Sequence, residues 1–311
     1  MLASSWVDEN RTGWGAVMIG VSRIAIALIS LFAVGSASAA DQAVRKAPPA
    51  VAPYSWTGVY VGVNAGGTWG AFDPTTATAF SPLGYFAASS VFAINIAGLQ
   101  SINPATFTGG VQAGFNWQMG GIVVLGGEID FNSFHLSGSK SGAAFYPCCV
   151  PAGFTIASSA HTDWLFTARS RLGIVNNNWP FNTNSLIYVT GGLAVTNLNG
   201  SFTFTDNCGS VLACSGAPFP NAAEAASLSK TKLGYTVGAG VEAGLWGNWS
   251  LKAEYLYVKF NSESVTGFIT TPAIIGFGSN NNPFTQSIDL KAHIARLGLN
   301  YRFGGPAVAG Y

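Results

Sequence analysis

Charged residues are scarce in this chain of 311 residues. Asp, Glu, Lys and Arg together make up 9% of the sequence, whereas ordinary soluble domains carry about 25%. The net charge of +1 gives no reason to expect a nucleic-acid partner, because such partners attract strongly basic surfaces. A surface this poor in charge is unusual for a protein that is surrounded by water.

Long apolar runs are also missing past the first forty residues. None reaches the ~18 residues that a membrane helix requires, although 49% of the chain is hydrophobic and the mean hydropathy is +0.33. A transmembrane β-barrel needs no such run, because its apolar residues occupy every second position. Low charge without membrane helices therefore favours a barrel.

Patterns of catalytic residues are absent as well. The three histidines, His135, His161 and His293, lie far apart in the sequence at predicted loop or strand edges. The glycine-rich stretch 62–67 lies inside a predicted strand, not before a helix, so a nucleotide site is not indicated. An outer-membrane enzyme acting on lipids would need a Ser/His pair at the barrel rim, and none is evident. We therefore expect no enzymatic activity, no cofactor and no metal.

The N-terminal region predicts export. Arg23 supplies a positive segment, Ile24–Val34 an apolar core, and Ala37–Ala39 a small-residue cleavage signal. We expect cleavage after Ala39 rather than retention as an anchor, because the core is short for a membrane span. Residues 1–17 fit no leader, so we expect Met18 to be the true start.

Export permits disulfides, and the chain contains four cysteines, Cys148, Cys149, Cys208 and Cys214. None has the paired spacing of a zinc site together with histidines. Bridges within or between two predicted loops are compatible with these positions. The sequence leaves their connectivity open.

Strict alternation of apolar and polar residues marks the end of the chain. From Ala295 to Phe303 every second residue is apolar, and the aromatic residues Tyr301 and Phe303 close the segment. One tilted strand through a bilayer requires this pattern over about ten residues. Closer to the N-terminus, Ile288–Ile294 is apolar in the opposite phase, which either a bulge or emergence above the bilayer would explain.

Seven further segments show strand patterns. The predicted strands are 56–69, 106–117, 122–131, 161–175, 185–198, 232–245, 249–260 and 285–303. Long connections (70–105, 132–160, 199–229 and 261–284) alternate with short ones. The sequence thus predicts an all-β fold, an eight-stranded antiparallel transmembrane up-and-down β-barrel with four long extracellular loops and short periplasmic turns. A soluble jelly roll is the alternative, and the low charge and the leader disfavour it.

The predicted domain organisation follows from these boundaries. Residues 1–39 form a cleaved signal region, and 40–55 form an Ala/Pro-rich periplasmic linker. The barrel comprises 56–303, and 304–311 form a C-terminal tail.

The strand phases place ten charged side chains inside the barrel, six cations and four anions. They are Glu128, Asp130, Arg169, Arg171, Lys232, Glu242, Lys252, Glu254, Arg296 and Arg302. Facing lipid at mid-depth, an ionised group costs roughly 2–4 kcal/mol, whereas pairing across neighbouring strands compensates part of the cost inside. The acids of the third strand neighbour Arg169 and Arg171, and Glu254 can meet Arg296. Because side chains essentially fill an eight-stranded barrel, a structural plug is favoured over a conducting filter.

Three segments resemble a known family. WTGVYVGVNAGGTWG at 56–70, LKAEYLYV at 251–258 and ARLGLNYRFGG at 295–305 are similar to the small outer-membrane surface proteins of alpha-proteobacteria, the RopB-like surface antigens. The resemblance covers Trp56–Phe303. It implies a barrel similar to the membrane domain of OmpA, inserted in the outer membrane of a Gram-negative bacterium.

The resemblance also implies a terminal aromatic signal that the barrel-assembly machinery reads. That role maps to Phe303, preceded by Tyr301, but this chain departs from the family by adding Gly304–Tyr311. Either the signal is tolerated internally or Tyr311 supplies it. The four long loops and their cysteines lie outside the resemblance.

Together these observations predict an integral outer-membrane surface protein that contributes to envelope integrity and presents extracellular loops. A narrow porin-like channel for small solutes is one alternative, with the cationic excess favouring anions. A loop-mediated ligand-binding or adhesion receptor is another. The expected partners are outer-membrane lipid and lipopolysaccharide, the barrel-assembly machinery and an extracellular ligand of the loops.

Overall fold

The computed structural model describes residues 54–82, 84–176, 184–210, 221–269 and 282–304. The expected signal region, almost all of the linker, the tail beyond Gly304 and Cys214 lie outside these residues. None of the helices in the described ranges is long and apolar enough to cross a membrane.

Within the described ranges, 11 strands form one antiparallel sheet. They are β1 (Gly58–Thr78), β2 (Ala105–Met119), β3 (Val123–Ser133), β4 (Ser137–Phe145), β5 (Gly153–His161), β6 (Trp164–Asn176), β7 (Ser185–Asp206), β8 (Ala223–Gly244), β9 (Trp249–Phe260), β10 (Glu263–Phe268) and β11 (Pro283–Phe303). The helix α1 spans Ala88–Ala97, and a short 3-10 helix spans Cys208–Ser210.

Eight of these strands close into a ring. Its order is β1, β2, β3, β6, β7, β8, β9, β11 and back to β1, and every neighbouring pair is antiparallel. Gly120 (φ 58°) and Gly121 (φ 80°) supply the left-handed backbone of the tight turn between β2 and β3. The predicted ring of eight antiparallel strands is confirmed.

Within the described residues, much of the predicted long loops is structured, which corrects the sequence interpretation. β1, β7, β8 and β11 continue past the predicted strand ends and reach 21 or 22 residues. β4 and β5 form a hairpin in the predicted loop 132–160, and β10 lies in the predicted loop 261–284. His161, predicted as the start of the fourth strand, is the last residue of β5.

The long strands reverse their polarity along their length. On β11, Leu297 and Leu299 face outward, whereas Ile288 and Leu290 face inward and are 1% exposed. The β1–β11 pairing runs in one register from Val59 with Phe303 to Thr78 with Phe284, which excludes the bulge. The inward face itself changes from polar to apolar. The pattern of outward apolar residues therefore ends before the strands do, and it does not predict their last residues.

Beyond the ring, the sheet continues into a second part that we call the cap. It consists of β4, β5, β10, α1 and the parts of β1, β7, β8 and β11 that extend past the level of the Trp69–His293 pair, away from the tight turns of the ring. β5 pairs with β7, β10 pairs with β11, and α1 packs against β1 and β4. Its interior holds a cluster of apolar and aromatic side chains that includes Phe86, Phe154 and Phe204.

Two neighbouring glycines of β7 face opposite sides of the ring, and only one of them has room for a side chain. A Cβ on Gly192 would collide with the Ala168 carbonyl oxygen and lie 2.7 Å from Arg169 Cα. A Cβ on Gly191 would meet only Thr236 O at 3.6 Å and Val237 at 3.8 Å. The inward glycine is therefore required for the close approach of β6 and β7.

We expect Gly192→Ala to lower the free energy of unfolding by about 1–3 kcal/mol, because it forces two paired strands apart. Gly191→Ala is the matched control and should change stability little. The measurement is the temperature at which unboiled protein converts to its heat-denatured gel mobility. Equal midpoints for the two variants would contradict the packing argument.

Candidate functional site

Eight of the ten charged side chains predicted to face inward meet in one buried cluster inside the ring. Each is at most 4% exposed. The four cations and four anions leave the cluster formally neutral. Its members are Glu128, Asp130, Arg169, Arg171, Glu242, Lys252, Glu254 and Arg296.

The strand register brings opposite charges side by side. Glu128 is the cross-strand partner of Arg169, and Glu254 is the partner of Arg296. Arg169 Nη2 lies 2.7 Å from Asp130 Oδ2, and Arg296 Nη2 lies 2.7 Å from Glu254 Oε2. Alternation along each strand sends these side chains inward, where opposite charges and hydrogen bonds of the same interior compensate them.

Other ion pairs of the cluster cross the lumen. Lys252 Nζ on β9 lies 2.7 Å from Glu128 Oε1 on β3, and these two strands stand on opposite sides of the ring. Arg169 Nη1 on β6 reaches Glu254 Oε1 on β9 at 3.0 Å. The cluster therefore fills the cross-section of the ring at this level.

Two tyrosines complete the cluster. Tyr60 Oη donates to Glu128 Oε2 at 2.6 Å, and Tyr188 Oη donates to Glu254 Oε1 at 2.9 Å. The guanidinium of Arg171 lies 3.9 Å from the Tyr188 ring centroid. The sequence places Tyr60 on the inward face but gives no signal of its partner. Tyr188 lies in a strand too uniformly apolar for its phase to be assigned.

The other two charges predicted to face inward, Lys232 and Arg302, are also buried but lie outside the cluster. Lys232 Nζ lies 2.6 Å from Glu263 Oε2, where β10 approaches β8 in the cap. Arg302 lies near the opposite end of the ring, 4.4 Å from the Tyr54 ring centroid. Their positions along β8 and β11 are too far from mid-ring for contact.

The predicted assembly signal lies at the end of β11. The rings of Tyr301 and Phe303 are 5.3 Å apart, and Trp249 packs 5.1 Å from Tyr301. Phe303 is half exposed on the outward face. Recognition by the assembly machinery stays a prediction.

In the cap, Asp206 collects hydrogen bonds from several segments. Tyr85 Oη and Tyr146 Oη donate to its Oδ2 at 2.7 Å and 2.9 Å, and Ala222 N donates to its Oδ1 at 2.7 Å. Burial and the hydrogen bond to Asp206 raise the pKa of Tyr85. Burial and the negative charge of Asp206 raise the pKa of Tyr146. Both phenols therefore stay protonated and donate hydrogen bonds. These bonds link the segments of the cap that contain Tyr85, Tyr146 and Asp206.

The cap also contains the cysteines that the structure describes. Cys148 and Cys149 form a disulfide with each other, within the connection between β4 and β5. Cys208 is also disulfide-bonded. Cys149 and Cys208 pack against the apolar cluster of the cap, so the disulfides lie at the edge of its core.

Metal-binding side chains do not converge in the part of the chain that the structure describes. No group of three His, Cys, Asp or Glu residues there could hold a metal ion. The expectations of no cofactor and no enzymatic activity stay predictions.

Residues 25–303 match the family model described as "Outer membrane protein beta-barrel domain". The chain belongs to this family. It is 32% identical over 286 residues to the 31 kDa outer-membrane immunogenic protein of Brucella melitensis, with 91% of this chain and 99% of the relative covered. The resemblance to alpha-proteobacterial surface proteins and the location in the outer membrane are thereby confirmed.

Two more distant similarities were found. A 22 kDa outer membrane protein of Rhizobium leguminosarum is 31% identical over 157 residues, which cover 50% of this chain and 54% of the relative. The attachment invasion locus protein Ail of Yersinia pestis aligns with a TM-score of 0.30 at 12% identity, covering 79% of this chain and 99% of that one. This structural similarity is too low to support an argument.

Lys252→Met tests the cross-lumen charge balance. It leaves Glu128 and Glu254 with one cation fewer in a buried site, so we expect the free energy of unfolding to fall by about 3–5 kcal/mol. Adding Glu128→Gln should recover part of the loss. Lys140→Met, on the exposed face of β4, is the control and should stay within about 0.5 kcal/mol. Thermal gel-shift midpoints measure all three, and a midpoint for Lys252→Met equal to that of the control would contradict the compensation argument.

Proposed function

We propose that the protein is a sealed outer-membrane barrel that contributes to envelope integrity and presents a folded cap at the cell surface. The ring spans the bilayer, the tight turns face the periplasm, and the cap is extracellular. The single observation that carries this proposal is the neutral ion cluster that crosses the lumen from Lys252 to Glu128.

The outward face of β11 supports the membrane placement. It is apolar from Phe303 to Ala295 and polar from His293 onward, where Lys291 and Asp289 are exposed. These nine residues at ~3.3 Å each, tilted by about 40°, rise about 23 Å, close to the ~25 Å height of the apolar band of outer-membrane barrels. Aromatic residues border both edges of this band, as membrane interfaces favour.

The interior supports a sealed barrel over a channel. Above the ion cluster, a continuous apolar layer that includes Phe72, Phe134 and Phe202, each at most 1% exposed, fills the space between the strands. Water and ions would have to pass both layers. The equal numbers of cations and anions also remove the cationic excess that suggested an anion pore.

Planar-bilayer recording tests the seal. We expect the wild-type protein to produce no conductance steps, because neither interior layer leaves a continuous aqueous path. Insertion is verified by the gel-mobility shift of the same reconstituted sample, and a known porin in the same bilayers is the positive control. Stable single-channel steps from the wild type would contradict the proposal and favour the porin-like alternative.

Presentation of the cap is supported by its own folded core and by the relative, whose name describes it as immunogenic. Exposed apolar side chains on and beside α1 favour ligand binding by the cap as a second candidate function. Phe92 and Ile96, one helical turn apart on α1, are 73% and 53% exposed, and Leu99, just after the helix, is 63% exposed. Exposed apolar patches of this kind often mark interaction surfaces.

Cysteine labelling in intact cells tests the orientation. Lys140→Cys in the cap should react with a membrane-impermeant maleimide. Trp246→Cys, in the turn between β8 and β9 and 70% exposed, should react only after the outer membrane is permeabilised. The described native cysteines are disulfide-bonded, so the unsubstituted protein is the background control. Labelling of Trp246→Cys alone in intact cells would reverse the proposed orientation.

A further inference from the structure

Two shallow depressions of about 660 Å³ each lie on the outward face of the ring. The first spans β1, β11, β9, β8 and β7, and the second spans β2, β3, β6 and β7. The small side chains Ala65, Ala239, Ala253 and Ala295 line the first. Ala113 and Ala168 contribute to the second. Both lie within the apolar band.

Only the first depression has cations above it. Lys259 on β9 and Lys291 on β11 are outward-facing cross-strand partners. Like charges directly opposite each other destabilise a sheet. Lys291 Nζ is paired with Asp73 Oδ2 at 2.9 Å, whereas Lys259 has no ion pair within the described residues. Asp73 and Asp289 are paired two residues beyond Lys291 along β11, further from the apolar band. The two lysines are therefore the charges closest to the apolar band on this face.

An aromatic row connects the lysines to the depression. His293 packs against Tyr257 with 5.1 Å between ring centroids, and Tyr255 Oη lies 2.5 Å from His293 Nδ1. On the outward face of β9, Lys259 is followed toward the middle of the apolar band by Tyr257, Tyr255 and then Ala253. The six steps from Lys259 to Ala253 cover about 20 Å along the tilted strand. A lipid whose phosphate lies at the lysines can therefore reach the depression with an acyl chain.

We propose that this face binds one phosphorylated lipid of the outer leaflet. Its phosphate lies between Lys259 and Lys291, and an acyl chain lies in the alanine-lined depression. The phosphate offsets the repulsion between the two lysines. The acyl chain fills the depression, which a flat lipid surface would leave poorly packed. This inference rests on the membrane placement proposed above and deepens it by naming the lipid class.

The second depression provides an internal comparison. It has a similar volume and lies in the same apolar band. The side chains above it are aromatic, with Phe131 and Trp164 stacked at 5.9 Å. An apolar groove without cations should accept acyl chains without preference for a phosphate.

Native mass spectrometry of the purified full chain in detergent tests the proposal. The probes are bisphosphorylated lipid A and the same lipid A after enzymatic removal of its phosphates. We expect the wild type to bind the phosphorylated form more tightly, and Lys259→Gln to weaken that binding about tenfold, the usual effect of one charge-assisted hydrogen bond. Lys259→Gln combined with Lys291→Gln should remove the preference for phosphate.

Groove-filling variants test the acyl-chain part. Ala295→Leu should weaken binding of phosphorylated lipid A, whereas Ala168→Leu, in the second depression, should not. Equal affinity of the wild type for both lipid forms, or unchanged affinity in the lysine variants, would overturn the inference. Full competition by inorganic phosphate would assign the lysines to a free anion and would also overturn it.

The variants must keep the gel-mobility shift of the folded barrel. A failure of the membrane placement itself would appear in the maleimide labelling, which does not depend on the lysines. A failure of lipid recognition would leave that labelling intact. The two outcomes are therefore distinguishable.

Discussion

Mutual compensation of buried charges inside the ring is the constraint on which the rest of this structure depends. Glu128 has no access to water, and its charge is offset by Arg169, Arg171 and Lys252, which reach it from two other strands, and by the hydrogen bond from Tyr60. Each of these contacts requires one strand phase and one register. Because a slip of one residue would turn every side chain of a strand to the other face, the cluster specifies how the strands pair.

The polarity of the outward face follows from the same constraint. Once the charged positions face inward, the alternate positions face outward, toward the bilayer in the proposed placement, and they carry Leu, Val, Ala and aromatic residues. In the cap, which the proposed placement surrounds with water, the polarity of the two faces reverses along the same continuous strands. The outward face changes from apolar to polar and the inward face from charged to apolar, without a break in backbone pairing.

The sequence predicts the ring well because period-two alternation reports directly on the two sides of a strand. β9 has the predicted bounds, 249–260, and the pairing of Glu254 with Arg296 follows from neighbouring strands. The cap is predicted poorly, since its apolar residues face inward and its hairpin β4–β5 is rich in Ser and Ala. Contacts between non-neighbouring strands, such as Lys252 with Glu128, depend on ring closure and leave no local signal. The disulfide between Cys148 and Cys149 is likewise one of several connectivities that the spacing allows.

The folded core of the cap has a consequence for how this surface can vary. Its stability resides in inward residues such as Phe154, Phe204 and Phe284, whereas the outward residues of the same strands make few packing contacts. Substitutions on the outer face therefore leave the fold intact while they change what another molecule meets. In the proposed extracellular placement, such a division lets the exposed sequence diverge rapidly under selection from outside the cell, with the scaffold beneath it held constant.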